Sequence, residues 1–155
     1  MDFSHKNVLV VGVGISGNAV AKVAKMQGAD KVVLSDAKAE QDLKYDLTDV
    51  RAAGVELVFG PQENTLLDNV DMVILSPAVP VRIPLVQEAY KREIPVVSEV
   101  QVAYELAKSP ILAVTGTNGK TTITTVMKKV LSDFGCKTGL IGTCQNEIGD
   151  EILPT

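Results

Sequence analysis

Short β-branched apolar runs alternate with helix-spaced stretches along almost the whole chain, and this alternation leaves few folds open. From Asn7 to Gly12 the chain carries Val8, Leu9, Val10 and Val11, a run short enough for a strand buried on both faces. From Ser16 to Gly28 the apolar residues fall at Ala19, Val20, Val23, Ala24 and Met26, which is helical spacing, and Gly28 sits where a helix would stop. The same pattern predicts strands over 31–36, 55–59, 71–76 and 94–97. It predicts helices over 48–53, 83–92 (with Pro84 in its first turn) and 98–108, the last capped by Ser98. Beyond Lys108-Ser109-Pro110 come a strand over 111–115, a helix over 120–134 ended by Gly135, and a strand over 137–141. Repeated βα units with short connections build a parallel sheet covered by helices. The expected fold is α/β: a Rossmann-like parallel-sheet domain over 1–109, then the start of a P-loop ATPase domain over 110–155. The second unit holds too few elements to close a sheet, so a piece of a longer protein is expected.

Composition excludes several function classes. Of 155 residues, 46% are apolar, enough for a packed core and too many for a disordered chain. The net charge is −4 and the basic residues are scattered, which argues against a nucleic-acid surface. No apolar run approaches the roughly 18 residues of a membrane span, and no stretch has the shape of a signal peptide, so a cytoplasmic protein is expected. Cys136 and Cys144 form no CxxC pair and have no histidines nearby to complete a zinc set; they read as ordinary reduced cysteines. The single histidine, His5, precedes the first strand and reads as a solvated residue rather than a catalytic base. No oligomeric state is readable.

Two glycine-rich turns stand at strand-to-helix junctions. The first, Gly12-Val13-Gly14-Ile15-Ser16-Gly17, is a G-x-G-x-x-G between the first strand and the first helix. Its glycines permit a tight turn and close backbone approach, and the helix start offers N–H groups to a phosphate. Asp36 lies about nineteen residues beyond Gly17, at the end of the second strand, where such folds place an acid on a ribose or base. A dinucleotide, another nucleotide ligand and simple helix–strand packing all fit this motif, and an NAD-dependent oxidoreductase is one function it allows.

The second turn is more specific. Gly116-Thr117-Asn118-Gly119-Lys120-Thr121-Thr122 departs from the strict G-x-x-x-x-G-K-[ST] pattern, because Val114 stands at its first glycine. The working parts remain: Gly116 and Gly119 let the backbone wrap phosphates, Lys120 supplies a mobile positive charge, and Thr121 offers a hydroxyl to Mg²⁺. A loop for ATP beside a loop for a second nucleotide suits a nucleotide-bearing substrate activated by ATP.

Together these words resemble the Mur ligases of bacterial cell-wall synthesis. The matching stretches are Val8–Gly17, Leu75–Pro80, Ile83–Val86, Ile94–Val100 and Ala113–Thr122, in order along nearly the whole chain. The Ser76-Pro77 segment and the first glycine turn are most like the D-glutamate-adding branch. The stretch from Gly139 to Cys144 and on through Ile148–Thr155 is more like the branch adding lysine or diaminopimelate. The resemblance implies a peptidoglycan-precursor ligase with UDP-N-acetylmuramoyl-L-alanine and D-glutamate as substrates, ATP and Mg²⁺ as cofactors, and activation of a carboxylate as an acyl phosphate. It implies that Gly14, Ile15 and Ser16 face the diphosphate, that Asp36 and Ala37 face the uracil, and that Ser76, Pro77 and Ala78 line the same pocket. It further implies that Gly116, Thr117, Asn118, Gly119, Lys120, Thr121 and Thr122 hold ATP in the family's central domain. Thr121 would meet Mg²⁺, and Lys120 would act in catalysis. The family's later metal ligands and third domain find no counterpart in these 155 residues, so ligation by this chain alone is not expected.

Overall fold

The computed structural model describes residues 1–142, 146–149 and 151–153, and the chain falls into two compact units, Met1–Lys108 and Ser109–Thr155.

The first unit is built on a five-stranded parallel sheet in the order β3-β2-β1-β4-β5. Its strands are β1 (Asn7–Val11), β2 (Lys31–Asp36), β3 (Glu56–Phe59), β4 (Met72–Leu75) and β5 (Val96–Ser98). The helices are α1 (Ile15–Met26), α2 (Thr48–Ala52), α3 (Pro84–Lys91) and α4 (Glu99–Leu106), with short 3-10 turns at Glu40–Asp42 and Asn64–Leu67. The strand order reverses beside β1, which leaves a crevice at the carboxyl ends of β1 and β4, the usual ligand position in such sheets.

Strand β1 shows why the sequence folds this way. Its side chains alternate between faces: Val8 and Val10 join one core cluster with Val20, Ala21, Ala24, Val32 and Leu34, while Leu9 and Val11 join another with Val73, Leu75, Leu85, Val86 and Ala89. A strand covered on both sides has no solvent face to fill with polar residues, hence the unbroken apolar run. Full burial of each such side chain contributes roughly 1.5–3 kcal/mol. The end of α1 is equally local in origin. Gly28 takes φ 92°, its N–H donates to the Lys25 carbonyl, and the Ala29 N–H donates to the Ala24 carbonyl, closing the last turn. The start of α4 is capped as expected, with the Ser98 hydroxyl accepting the Gln101 N–H at 3.2 Å.

In the second unit, α5 (Lys120–Asp133) follows the glycine loop, and β6 (Gly139–Ile141), β7 (Asn146–Ile148) and β8 (Glu151–Leu153) form an antiparallel sheet. An ion pair between Lys128 and Glu147 ties α5 to β7. The strand expected over 111–115 is not formed. Its main chain pairs with no strand among the described residues, and Ile111 and Leu112 stay exposed. A run of strand-forming residues becomes a strand only when a neighbour completes its hydrogen bonds. Cys136 is exposed and unbridged, and Cys144 lies outside the described residues. No helix among the described residues is long and apolar enough to cross a membrane.

Candidate functional site

The first glycine turn sits at the reversal of strand order and is tied to its neighbours by main-chain hydrogen bonds. The Gly12 N–H donates to the Ser35 carbonyl at 2.8 Å, and the Ser76 N–H donates to the Val11 carbonyl at 3.0 Å. Gly12 takes φ +104°, and a Cβ there would lie 2.7 Å from a Val79 methyl and 2.8 Å from the Ser76 Cβ. Both the conformation and the contact exclude a side chain. Three residues are thereby fixed at one place: Gly12 after β1, Ser35 near the end of β2, and Ser76 after β4.

The third glycine of the motif acts differently. A Cβ on Gly17 would lie 2.1 Å from the Gly12 carbonyl oxygen, so only glycine lets α1 approach the strand this closely. Gly14 is the N-cap of α1, with extended backbone and, as a glycine, no side chain to cap the helix. The first helical bond runs from the Asn18 N–H to the Gly14 carbonyl at 2.9 Å. Helical geometry therefore leaves the N–H groups of Ile15, Ser16 and Gly17 without intrahelical partners, at the positive end of a three-turn helix.

Asp36 braces this turn. Its Oδ2 accepts the Val13 N–H at 2.8 Å and its Oδ1 accepts the Lys38 N–H at 2.9 Å. Ala37 follows it on the exposed side. Behind β2, the fully buried Ser35 hydroxyl accepts a hydrogen bond from the Gln62 side-chain amide at 3.0 Å, so the segment after β3 is also pinned here. Ser76 is buried, while Pro77 and Ala78 are exposed in a turn closed by the Val79 N–H donating to the Ser76 carbonyl. Gly14, Ile15, Ser16, Asp36, Ala37, Ser76, Pro77 and Ala78 thus all lie at the carboxyl ends of β1, β2 and β4. A cleft of about 300 Å³ opens next to Ser76 over the ends of β4 and β5, lined by Leu75, Pro77, Val96, Glu99 and Val100. It is mostly apolar and lies to one side of the glycine turn, where the donors are.

Two neighbours of the turn carry no motif: Gln62, described above, and Tyr45. The Tyr45 ring tip lies 3.9–4.0 Å from where a Cβ on Gly14 would be. Its only sequence signal was an aromatic residue within a polar loop.

In the second unit, Gly119 takes φ 78° as the N-cap of α5, a left-handed conformation that suits glycine. The Ile123 N–H donates to the Gly119 carbonyl at 3.0 Å, which leaves the N–H groups of Lys120, Thr121 and Thr122 without intrahelical partners. The Lys120 ammonium folds back on its own loop, donating to the carbonyls of Gly116 and Thr117. A Cβ at Gly116 would meet nothing within 4 Å, so the loop's outer side is open. Among the described residues no three His, Cys, Asp or Glu side chains cluster in a way that would hold a metal. The loop offers an ammonium, hydroxyls and main-chain N–H groups. That set fits a polyphosphate whose Mg²⁺ is carried by phosphate oxygens and water, with one hydroxyl from the protein.

Comparison with known proteins gives the same division. Residues 6–98 match the Mur ligase MurD-like N-terminal domain, and residues 114–154 match the Mur ligase middle domain. The chain is 45% identical over 152 residues to the UDP-N-acetylmuramoylalanine--D-glutamate ligase of Pelotomaculum thermopropionicum, covering 98% of this chain and 32% of that protein. It is 36% identical over 156 residues to the enzyme of the same name from Staphylococcus aureus, covering 97% and 34%. The chain therefore spans about a third of the length of the curated relatives it matches. Among solved structures it resembles the UDP-N-acetylmuramate-alanine ligase of Thermotoga maritima, with TM-score 0.52 and 28% identity over 88% of this chain and 31% of that one. A murein peptide ligase from Psychrobacter arcticus, at TM-score 0.58 and 22% identity over 94% and 34%, shares the fold. With the fold, the two glycine loops and the matched residues in agreement, this chain belongs to the Mur ligase family, and its first domain is of the MurD-like kind.

Proposed function

We propose that this chain supplies the UDP-substrate domain, over 1–109, and the opening of the ATP-binding central domain, over 110–155, of a cytoplasmic ligase. That ligase adds D-glutamate to UDP-N-acetylmuramoyl-L-alanine. One observation carries the proposal: each unit presents a glycine-rich loop at the start of a long helix, and both loops lie in stretches that match Mur ligases. The names of the curated relatives supply the D-glutamate specificity.

In this reading the N–H groups at Gly14, Ile15 and Ser16 hold the substrate diphosphate at the positive end of α1. Asp36 and Ala37 face the uracil. A carboxylate has about four acceptor sites, so Asp36 can brace the turn through two and keep others for a uracil N–H. Ser76, Pro77 and Ala78 close the opposite wall. Gly116 to Thr122 hold ATP, with Thr121 on Mg²⁺; bound there, ATP supplies the phosphoryl group that activates the substrate carboxylate. Lys120 exchanges its loop carbonyls for phosphate oxygens and balances the negative charge that moves during transfer.

Calorimetric titration of the chain with UDP-N-acetylmuramoyl-L-alanine, with NADH and with Mg-ATP tests this. Saturable binding of the UDP-sugar with no NADH response is expected. Tight NADH binding without a response to the UDP-sugar would overturn the proposal in favour of an oxidoreductase.

A further inference from the structure

We infer that Tyr45 is an additional substrate-positioning residue, whose phenolic hydroxyl donates a hydrogen bond to the diphosphate held at the start of α1. The inference rests on the reading of that helix start as the diphosphate site.

Its geometric basis is local. Tyr45 comes from the segment between the 3-10 turn at Glu40–Asp42 and α2, far from the glycine turn in sequence. Even so, its hydroxyl oxygen and Cζ lie 3.9 and 4.0 Å from the Cβ position of Gly14, the N-cap residue itself. The residue is not a loosely attached surface aromatic. Leu43 on one side packs against the core, and Leu47 on the other is buried, so the chain is anchored two residues before and two residues after it. Asp46 adds a further tie by accepting both the N–H and the hydroxyl of Thr48, at 2.9 and 2.6 Å. Between these anchors Tyr45 keeps 44% of its surface exposed, with the tip of its ring at the mouth of the turn.

The chemistry of the tip fits the place. The N–H groups of Ile15 to Gly17 lack intrahelical partners, and the Tyr45 ring tip lies against Gly14, the residue that opens this helix. An anion held at this helix start would lie close to Gly14, within the neighbourhood of the Tyr45 tip, and a phenolic hydroxyl is a donor suited to phosphate oxygens. Asp36 is not placed for this part: its two carboxyl oxygens accept the main-chain N–H groups of Val13 and Lys38. Tyr45 thus brings, from a separate segment of the chain, a side-chain donor beside the N-cap of α1.

The test compares wild type, Tyr45→Phe and Tyr45→Leu, with UDP as the probe, by calorimetry and by phosphorus and proton NMR of the bound nucleotide. One hydrogen bond to a charged group corresponds to roughly a ten- to hundredfold change in affinity. Tyr45→Phe is expected to weaken UDP binding by at least about tenfold. It should move the phosphorus resonances of bound UDP while leaving the uracil protons in place, with an unchanged melting temperature. Tyr45→Leu should lose as much as Tyr45→Phe and little more. A Phe variant within about twofold of wild type overturns the inference. So does a loss seen only with Leu, which would assign the ring to stacking. Failure of the wild-type chain to bind UDP at all would instead remove the diphosphate site, and the role of Tyr45 with it.

Discussion

Alanine at position 17 would place a Cβ 2.1 Å from the Gly12 carbonyl oxygen and 3.2 Å from its carbonyl carbon. Carbon–oxygen contacts settle near 3.3–3.6 Å, so the overlap is more than about 1 Å. Neither side can give cheaply. The oxygen belongs to a turn whose N–H is bonded to Ser35 at 2.8 Å, and α1 is seated on the sheet through Val20, Ala21 and Ala24, all buried. The helix must lift or the turn must open, and either unpacks the core on that face. Overpacking costs about 1–3 kcal/mol. With backbone on both sides of the clash, about 3 kcal/mol is expected, which lowers the melting temperature of a unit this size by roughly 12–24 °C. Gly14→Ala is the control. Its backbone is extended, and its new methyl would meet only the Tyr45 ring tip at ordinary contact distance, so a shift within about 4 °C is expected. Thermal and urea unfolding of both variants, followed by circular dichroism, measures the difference. If Gly17→Ala melts within about 4 °C of wild type, the close helix–strand approach is not what requires glycine, and the reasoning fails.

Three further expectations follow from other parts of the structure. Asp36→Asn replaces one of two acceptors with an amide donor facing a main-chain N–H; it should cost about 1–3 kcal/mol of stability, measured by urea denaturation. Lys120→Met should weaken Mg-ATP binding to the chain by about tenfold or more while leaving UDP binding unchanged, which paired calorimetric titrations would show. Asp46 has its carboxyl held below the ordinary 3.8, chiefly by the Thr48 hydroxyl and then by the Thr48 N–H. A group lowered on folding contributes stability that is complete above its unfolded value and is lost as the pH falls through its lower folded value. The melting-temperature advantage of wild type over Asp46→Asn should therefore be constant at neutral pH and shrink below about pH 4.

Much of the first unit is legible because its strands are buried on both faces. A run such as Val8-Leu9-Val10-Val11 has few other fates, and Gly28 and Ser98 mark helix ends through local hydrogen bonds that need no tertiary context. The stretch 111–115 carries the same kind of residues, yet it forms no strand, because pairing depends on a neighbour that local pattern does not report. Strands β7 and β8 escape notice for the opposite reason. They are three residues each, mix acids with isoleucine, and are held by partners rather than by composition. At the candidate site the glycines were readable because a steric requirement writes itself into residue type. The bracing of the turn by Asp36 was not, since a carboxylate looks the same whether it faces a ligand or a main-chain N–H. Tyr45 and Gln62 reach the site through loops, and only folding reveals their proximity.

The tie among Gly12, Ser35, Asp36 and Ser76 joins the ends of three strands at a single knot. Because the knot is already formed, little loop entropy remains to be lost when an anion arrives, and whatever settles there acts as a splint across the middle of the sheet. Occupancy and folding then become one equilibrium viewed from two ends: at a hundred times its dissociation constant, a nucleotide there would add about 2.7 kcal/mol to the unfolding free energy. A heat-shift screen of nucleotides against this chain would accordingly rank its ligands without any turnover being observed.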